Sequence, residues 1–300
     1  MWRSFSLRTA RYLGLRTIIQ DRRPVAIGPL LIIGGKEDKV HTPDILLQLV
    51  RFIHKTNRAN RIGIVTTASR QDHLAFRTYQ QVFTRMGIDT VDALTIQSRQ
   101  EANRMAWANQ LKDLAALFFV GGNQLRVTSL LGGTQFNQAL NQAFRQGLIV
   151  VGTSAGAAMM SATMIVEGAQ DDIPTRNAVQ TVTGLGLWPH AVIDQHFTQR
   201  GRLGRLLAVL AQNPAVLGVG IDEDTAIFVD QEQEWLEVWG SQTVSLVDGW
   251  SITETNAAES VPGQPLILSH VTLHVLSKGY GFHLRTRQPI RIEEETVRND

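Results

Sequence analysis

The feature that most constrains the fold is a Gly-x-Ser-x-Gly pentapeptide at residues 152–156, directly after the apolar run 148–151. At the end of a strand, this pattern is typical of a nucleophile elbow, a sharp turn into a helix that pushes the serine hydroxyl out of the fold. Glycine is needed there because the strand and helix backbones come too close for a Cβ atom. The pattern predicts Ser154 as a nucleophile; the alternative is that small residues merely pack a strand-to-helix turn.

The composition excludes several classes of function. The chain has 300 residues, 43% hydrophobic and 19% charged, which is typical of a globular protein with a large core. A net charge of +2, without a dense Lys/Arg tract in the body of the chain, does not indicate nucleic acid as a partner. The absence of cysteine excludes disulfides and thiolate chemistry, and scattered histidines predict no metal and no cofactor. No apolar run approaches the roughly 18 residues of a membrane span.

The first 23 residues differ from the rest of the chain, since they carry six arginines against one acid, Asp21. Arginine-rich, acid-poor composition is typical of transit peptides, but the uninterrupted apolar region of a secretory signal is missing. We favour a basic extension, disordered or forming a short surface helix. Residues 1–23 are therefore placed outside the fold, and residues 24–300 are expected to form a single α/β hydrolase domain.

Apolar runs that alternate with helical stripes predict the architecture of that domain. Such alternation indicates an α/β fold with a mostly parallel sheet and helices on both faces. From about residue 225 strand patterns and turns dominate, which predicts a β-rich C-terminal part packed on the same sheet. We predict strands at residues 30–33, 62–65, 91–96, 117–120, 148–151, 226–229, 235–238, 243–247 and 271–275, and helices around residues 42–53, 75–86 and 136–144.

A serine nucleophile needs a base within hydrogen-bond reach and an acid that orients the base. His196 is the best base, because it ends an apolar strand, and ligands gather at the carboxyl ends of strands in such sheets. Two acidic clusters remain open as the third member. Residues 222–224 follow an apolar run, whereas Asp171 and Asp172 lie between the serine and the histidine in the chain.

Two further groups follow strand ends. Gly121 and Gly122 would suit an oxyanion hole together with the N–H of Ala155, although a simple strand-end turn explains the glycines equally well. Arginines at positions 200, 202 and 205 suit the planar recognition of carboxylates. The alternative for these arginines is the start of a solvated basic helix.

Together these pieces resemble the cyanophycinases, a family within the peptidase E-like group of serine peptidases. The most specific match is the segment 194–197 running into residues 200–205, and the resemblance covers about residues 28–285. It implies a fold like that of class I glutamine amidotransferases, with serine in place of their cysteine. It also implies cyanophycin as substrate, a poly-aspartate backbone with arginine joined to each β-carboxyl, from which the family releases β-Asp-Arg dipeptides. The other matching stretches are residues 32–38, 119–124, 152–157, 164–168 and 220–223.

By motif, the resemblance implies Ser154 as the nucleophile, His196 as the base and Glu223 as the third member. Asp172, which would give the chain order serine–acid–histidine, stays open as the alternative acid. A cytoplasmic homodimer is expected. Two rivals remain: an aspartyl or isoaspartyl dipeptidase that uses the same serine, and a non-catalytic member that only binds a ligand. We expect arginine side chains of the site to bind carboxylates of the substrate, and acidic side chains to bind the guanidinium groups of the substrate. The residues expected to line the substrate site are Gln124, Asp194, Gln195, Arg200, Arg202 and Arg205.

Overall fold

The computed structural model of the protein describes residues 27–168 and 173–292. The predicted basic extension at residues 1–23 and the candidate acids Asp171 and Asp172 lie outside the described residues. Within the described ranges, no helix is long and apolar enough to cross a membrane.

The described residues form seventeen β-strands and eight α-helices. The strands are β1 (Leu30–Ile33), β2 (Arg61–Val65), β3 (Thr90–Leu94), β4 (Ala116–Phe119), β5 (Ile149–Thr153), β6 (Thr163–Gly168), β7 (Val179–Thr183), β8 (Ala191–Gln195), β9 (Leu217–Ile221), β10 (Thr225–Asp230), β11 (Trp235–Gly240), β12 (Thr243–Asp248), β13 (Glu254–Thr255), β14 (Leu268–Ser269), β15 (Thr272–Ser277), β16 (Tyr280–His283) and β17 (Gln288–Arg291). The helices are α1 (Asp44–His54), α2 (Asp72–Arg85), α3 (Arg99–Ala102), α4 (Trp107–Lys112), α5 (Gln124–Leu131), α6 (Gln135–Arg145), α7 (Ala155–Ala158) and α8 (Leu203–Gln212).

The largest sheet has nine strands in the order β17-β16-β11-β10-β1-β5-β4-β2-β3. Neighbours from β1 to β3 along this order pair in parallel. Neighbours from β1 to β17 pair antiparallel. The predicted α/β class with a β-rich C-terminal part is confirmed. The C-terminal strands extend the parallel half by hydrogen bonding to β1, so the whole sheet is mixed.

Both faces of the large sheet are covered. Along β1, Leu30 and Ile32 contact one hydrophobic cluster, whereas Leu31 and Ile33 contact another, as expected when successive side chains point to opposite faces. Helices α1 and α2 pack into the second cluster, and α4 to α7 pack into the first. All four β1 side chains are fully buried, which contributes roughly 1.5–3 kcal/mol for each.

A second sheet, in the order β15-β12-β9-β8, carries two segments that matter for the site. Strands β8 and β9 are parallel neighbours, so their carboxyl ends lie side by side. The residues that follow these ends are His196 and residues 222–224. The two sheets therefore bring the elbow serine and the histidine strand to a common edge.

Candidate active site

The elbow residue Ser154 lies between β5 and α7 with φ 54° and ψ −113°. This positive φ is uncommon for a residue with a side chain. A Cβ atom on Gly152 would lie 2.0 Å from the carbonyl oxygen of Gly156, and one on Gly156 would lie 2.3 Å from that of Phe119. Both glycines of the motif are thus sterically required. The N–H of Ser154 donates to the carbonyl of Ile33 at 3.0 Å, which ties the turn to β1.

The structure brings Ser154, His196 and Glu223 into one hydrogen-bonded row. Ser154 Oγ lies 2.8 Å from His196 Nε2, and His196 Nδ1 lies 2.8 Å from Glu223 Oε1. An ionised carboxylate only accepts, so the neutral ring donates from Nδ1 and accepts the serine proton at Nε2. This is the arrangement in which a base activates a serine while an acid orients the base. Glu223 belongs to residues 222–224, one of the two acidic clusters left open by the sequence; Asp171 and Asp172 of the other cluster lie outside the described residues.

The glycines after β1 make room for the imidazole. A Cβ atom on Gly35 would lie 2.4 Å from His196 Cε1, and one on Gly34 would lie 1.9 Å from the carbonyl oxygen of Asp222. The N–H of His196 donates to the carbonyl of Gly34 at 2.9 Å. The Gly34-Gly35 pair, visible in the sequence only as a strand-end turn, thus positions both the base and the loop that carries the acid.

Burial and charge set the protonation of this row. Burial is the main cause that lowers the pKa of His196, and the cation of Arg200 adds to it, while the hydrogen bond that His196 donates to Glu223 opposes both. For Glu223, partial burial alone would raise the pKa, but hydrogen bonds from Lys36 and His196 outweigh it and hold the pKa below its usual value. Lys36 Nζ lies 2.9 Å from Glu223 Oε1. The site therefore holds an ionised acid beside a histidine biased toward its neutral, proton-accepting form.

The expected oxyanion donors flank the serine. A Cβ atom on Gly121 would lie 3.3 Å from Ser154 Cβ, so the Gly121 backbone closely faces the nucleophile. Gly122 has φ 145°, and Ala155 is the first residue of α7. In the part of the chain that the structure describes, none of these three N–H groups donates a hydrogen bond. They are available to a developing negative charge near Ser154.

Two of the three candidate arginines do not face solvent. Arg205 donates to both carboxylate oxygens of Asp194, at 2.6 Å from Nε, and Arg202 Nη1 donates to the same carboxylate at 3.2 Å. The exposed fractions are 6% for Arg202, 4% for Arg205 and 1% for Asp194. Arg202 also donates to the side-chain oxygen of Gln195 at 2.6 Å and to its backbone carbonyl.

This burial differs from the expectation that Arg202 and Arg205 contact carboxylates of the substrate. Arg202 immediately precedes α8 and Arg205 lies in its first turn, and both side chains are turned toward β8, where Asp194 supplies an internal carboxylate. The same pairing occupies Asp194, which was expected to meet a substrate guanidinium. Arg200 is the exposed arginine of the three. Burial is also the main cause that lowers the pKa of Arg202 to about 10, against the attraction of Asp194.

Gln124, at the start of α5, lines a cleft that also contacts Gly122. Its side-chain amide donates to the carbonyls of Ile165 at 2.8 Å and Val166 at 3.1 Å. It lines a cleft of about 570 Å³ that begins at Gly122. The structure therefore places Gln124 in the wall of a binding cleft, with its donor atoms committed to the neighbouring strand.

A buried carboxylate behind the elbow has no counterpart among the residues chosen from the sequence. Glu37 is 3% exposed, and it accepts hydrogen bonds from the hydroxyls of Thr153, at 2.6 Å, and Tyr79. Lys39 Nζ lies 3.0 Å from the same carboxylate. Burial is the main cause that raises the pKa of Tyr79 well above its usual value. Glu37 lies within a stretch that carries the family resemblance, but its hydrogen-bond partners are 42 and 116 residues away in sequence.

Within the described ranges, no group of three or more His, Asp or Glu side chains is placed so that it could hold a metal ion.

Comparison with known proteins gives consistent relationships over most of the chain. The family described as "Peptidase family S51" matches residues 30–236. A cyanophycinase from Geminocystis herdmanii is 37% identical over 264 residues, covering 87% of this chain and 95% of that protein. A cyanophycinase from Trichormus variabilis is 38% identical over 260 residues, covering 86% of each. Among solved structures, a peptidase from an acI-B1 Actinobacterium has a TM-score of 0.63 at 19% identity, covering 88% of this chain and 97% of that one, which shows a common fold.

Proposed function

This chain belongs to peptidase family S51, and we propose that it is a serine-type exopeptidase that hydrolyses the aspartate backbone of cyanophycin and releases β-Asp-Arg dipeptides. The observation that carries the proposal is the row from Ser154 through His196 to Glu223, with 2.8 Å at both contacts. The substrate class is supported by the relatives named cyanophycinase, which align with more than four-fifths of the chain.

The first half of the reaction forms an acyl-enzyme. His196 Nε2 accepts the proton of Ser154 as Oγ attacks the carbonyl carbon of the backbone amide. The resulting imidazolium donates from Nδ1 to Glu223, and the oxyanion accepts from N–H groups at Gly121 or Gly122 and Ala155. Each such donor contributes about 2.7–4 kcal/mol to transition-state stabilisation. His196 then gives its proton to the leaving nitrogen, and the C–N bond breaks.

The second half returns the enzyme to its starting state. A water molecule gives a proton to His196 Nε2 and attacks the acyl carbon, so that a second tetrahedral intermediate forms at the same oxyanion donors. His196 then protonates Ser154 Oγ as the acyl C–O bond breaks. The product leaves with a new carboxylate, and the serine hydroxyl is restored.

Substrate recognition is divided among the predicted residues according to their exposure. Arg200 is exposed next to the base, and we assign it the contact with free carboxylates of the substrate. Arg202 and Arg205 support the site from within through Asp194, and Arg202 also fixes Gln195, the residue before the base. Gln124 holds the cleft wall.

The deciding experiment incubates the purified protein with cyanophycin granules and identifies the soluble products by mass spectrometry. We expect β-Asp-Arg from the parent and from Ser129→Ala, which changes an exposed serine of helix α5, but not from Ser154→Ala. Turnover of aspartyl or isoaspartyl dipeptides in place of the polymer would support the dipeptidase alternative. If neither the polymer nor the dipeptides were hydrolysed, the result would favour a non-catalytic family member that only binds a ligand.

The assembly and location are also proposals. A homodimer is expected from the resemblance, and size-exclusion chromatography with light scattering would measure twice the 33.3 kDa of one chain. Fractionation of the producing cells would test the expected cytoplasmic location.

A further inference from the structure

The cleft near Ser154 is held in shape by hydrogen bonds among its own residues. Its floor is the turn at residues 122–125, one wall is residues 68–71, and the other includes Val166 and Glu167. A volume of about 570 Å³ lies in the usual range for small-ligand pockets. Gly122, in this floor, directly follows Gly121, whose backbone faces Ser154, so the cleft lies near the serine of the elbow.

Both walls are hydrogen-bonded to the floor. The backbone N–H of Asn123 donates to the carbonyl of Ala68 at 2.9 Å, and Gly122 leaves space for that oxygen, since a Cβ atom there would lie 2.1 Å from it. On the other side, the side-chain amide of Gln124 donates to the carbonyls of Ile165 and Val166. One short turn therefore fixes the spacing of the two walls.

The walls carry one cation and one anion that do not neutralise each other. Arg70 and Glu167 both line the cleft and both are exposed. Among the described residues, neither side chain has an ion pair or a hydrogen bond, either with the other or elsewhere. Each charge can therefore meet a complementary charge on a ligand, and the ligand that satisfies both carries a carboxylate and a cation at separate positions.

We propose that this cleft is the subsite for one arginine branch of the substrate, with Arg70 on the free α-carboxylate of the branch and Glu167 on its guanidinium. The assignment rests on the proposed function, in which every branch carries these two charges joined by methylene groups. Leu125 and Val166 give the cleft apolar surface for the methylenes. A bare aspartate chain would present only anions, which Glu167 would repel.

The test pairs variants with substrates that lack one charge. Three short synthetic oligomers of aspartate carry on each β-carboxyl either arginine, citrulline (the neutral isostere of arginine) or agmatine (arginine without its carboxylate). We expect Glu167→Gln to lower kcat/KM about tenfold on the arginine substrate but not on the citrulline one. Arg70→Gln should lower kcat/KM about tenfold on the arginine substrate but not on the agmatine one. Arg145→Gln and Glu259→Gln, exposed residues outside the cleft, are matched controls and should leave all values unchanged.

The outcomes separate this inference from the function on which it rests. The subsite assignment is wrong if the parent hydrolyses the arginine substrate but a variant shows either of two results. The first is an equal loss of kcat/KM on the substrate that lacks the matching charge, which is the citrulline one for Glu167→Gln and the agmatine one for Arg70→Gln. The second is an unchanged kcat/KM on the arginine substrate. If the parent hydrolyses none of the substrates, the proposed function fails. In that case the subsite is tested by calorimetry, which measures the binding of free β-Asp-Arg. The assignment then requires that β-Asp-Arg bind more weakly to both Glu167→Gln and Arg70→Gln than to the parent.

Discussion

Ser154 has a strained backbone conformation, φ 54° with ψ −113°, in which its hydroxyl lies 2.8 Å from His196 Nε2. Such conformations cost about 1–3 kcal/mol for a residue with a Cβ atom and persist only where the surroundings impose them. Here the surroundings are the pairing of β5 with β1 and β4 and the two motif glycines. The strain is thus a property of the position and remains when the hydroxyl is removed.

This gives a prediction at the nucleophile itself. Ser154→Ala and Ser154→Gly should both be inactive, but Ser154→Gly should have a free energy of unfolding about 1 kcal/mol higher than Ser154→Ala, because glycine adopts positive φ without strain. Urea denaturation of the two variants measures the difference. As a reference, Ser129→Ala and Ser129→Gly, within helix α5, should show the opposite order. Equal stabilities of the two elbow variants would contradict the account of strain.

The contact of Lys36 with the acid gives a prediction about pH. Lys36 Nζ and His196 Nδ1 share Glu223 Oε1, so the lysine weakens the support that the carboxylate gives to a charged imidazole. Lys36→Met should therefore raise the pKa of His196. Since only the neutral ring accepts a proton from Ser154, the acid limb of the reaction should move to higher pH.

The rate at which a fluorophosphonate labels Ser154, followed against pH, measures this limb without any substrate contact. Lys278→Met, which removes a lysine from the remote carboxylate of Asp44, should leave the profile unchanged. An unchanged or acid-shifted limb in Lys36→Met would show that the lysine does not act on His196 through Glu223.

Strand β8 and helix α8 are joined by a carboxylate shared between two guanidiniums. Removing one partner of a buried charge cluster leaves the others uncompensated, which typically costs 3–5 kcal/mol. Asp194→Asn should lower the free energy of unfolding by about this amount, because Arg202 and Arg205 remain buried without an anion. Chemical denaturation measures the loss. Asp44→Asn, which breaks an exposed ion pair, should cost less than about 1 kcal/mol, and a similarly small loss for Asp194→Asn would contradict the assignment.

At the level of elements, the sequence predicts strands that are formed by an unbroken apolar run, but it does not predict which strands pair with each other. The apolar runs at 30–33 and 148–151 locate β1 and β5 to within two residues at either end, because strands buried on both faces are apolar throughout. The hairpin of β6 and β7 was not predicted, since its residues are half polar and its register shifts at Glu167. Strand order is likewise a tertiary property: no local pattern places β10 beside β1.

In the candidate site, too, the sequence predicts the residues with a local signal but not those whose role depends on contacts between distant segments. Ser154 and His196 stand out locally, since each ends an apolar strand within a recognisable motif. The sequence left two acidic clusters open because the choice depends on which loop reaches the imidazole. The burial of Arg202 and Arg205 was not visible, because a basic stretch looks the same whether water or an internal carboxylate neutralises it.

On the scale of the whole molecule, the site lies where two sheets meet. The large sheet supplies Ser154 through β5, and the second sheet supplies His196 and Glu223 after β8 and β9. The 2.8 Å contact between Ser154 and His196 therefore exists only while both sheets hold their places. The C-terminal strands participate in both sheets, since β10, β11, β16 and β17 extend the first and β12 and β15 belong to the second.

This arrangement predicts that the C-terminal strands unfold together with the elbow that carries Ser154. Phe282 on β16 is fully buried, pairs with Leu236 on β11, and belongs to the same hydrophobic cluster as Val150 and Ala155 beside the nucleophile. Phe282→Ala should lower the free energy of unfolding by about 3–5 kcal/mol, through lost burial and the cavity left behind. Tyr280→Ala, on the same strand but 41% exposed, should cost much less.

Because residues 24–300 are predicted to form one domain, the measurement asks whether two signals of unfolding change at the same urea concentration. In urea, loss of serine labelling by a fluorophosphonate and the change in tryptophan fluorescence should share one midpoint in the parent and one lower midpoint in Phe282→Ala. Trp235 and Trp239 on β11 report the C-terminal strands, whereas Trp107 and Trp188 lie in the cluster shared with the elbow. If fluorescence changed in two steps and labelling survived the first, the C-terminal strands would form a separate unit and the single-domain prediction would be wrong. One shared transition would mean that the C-terminal strands and the elbow that carries Ser154 unfold as one cooperative unit.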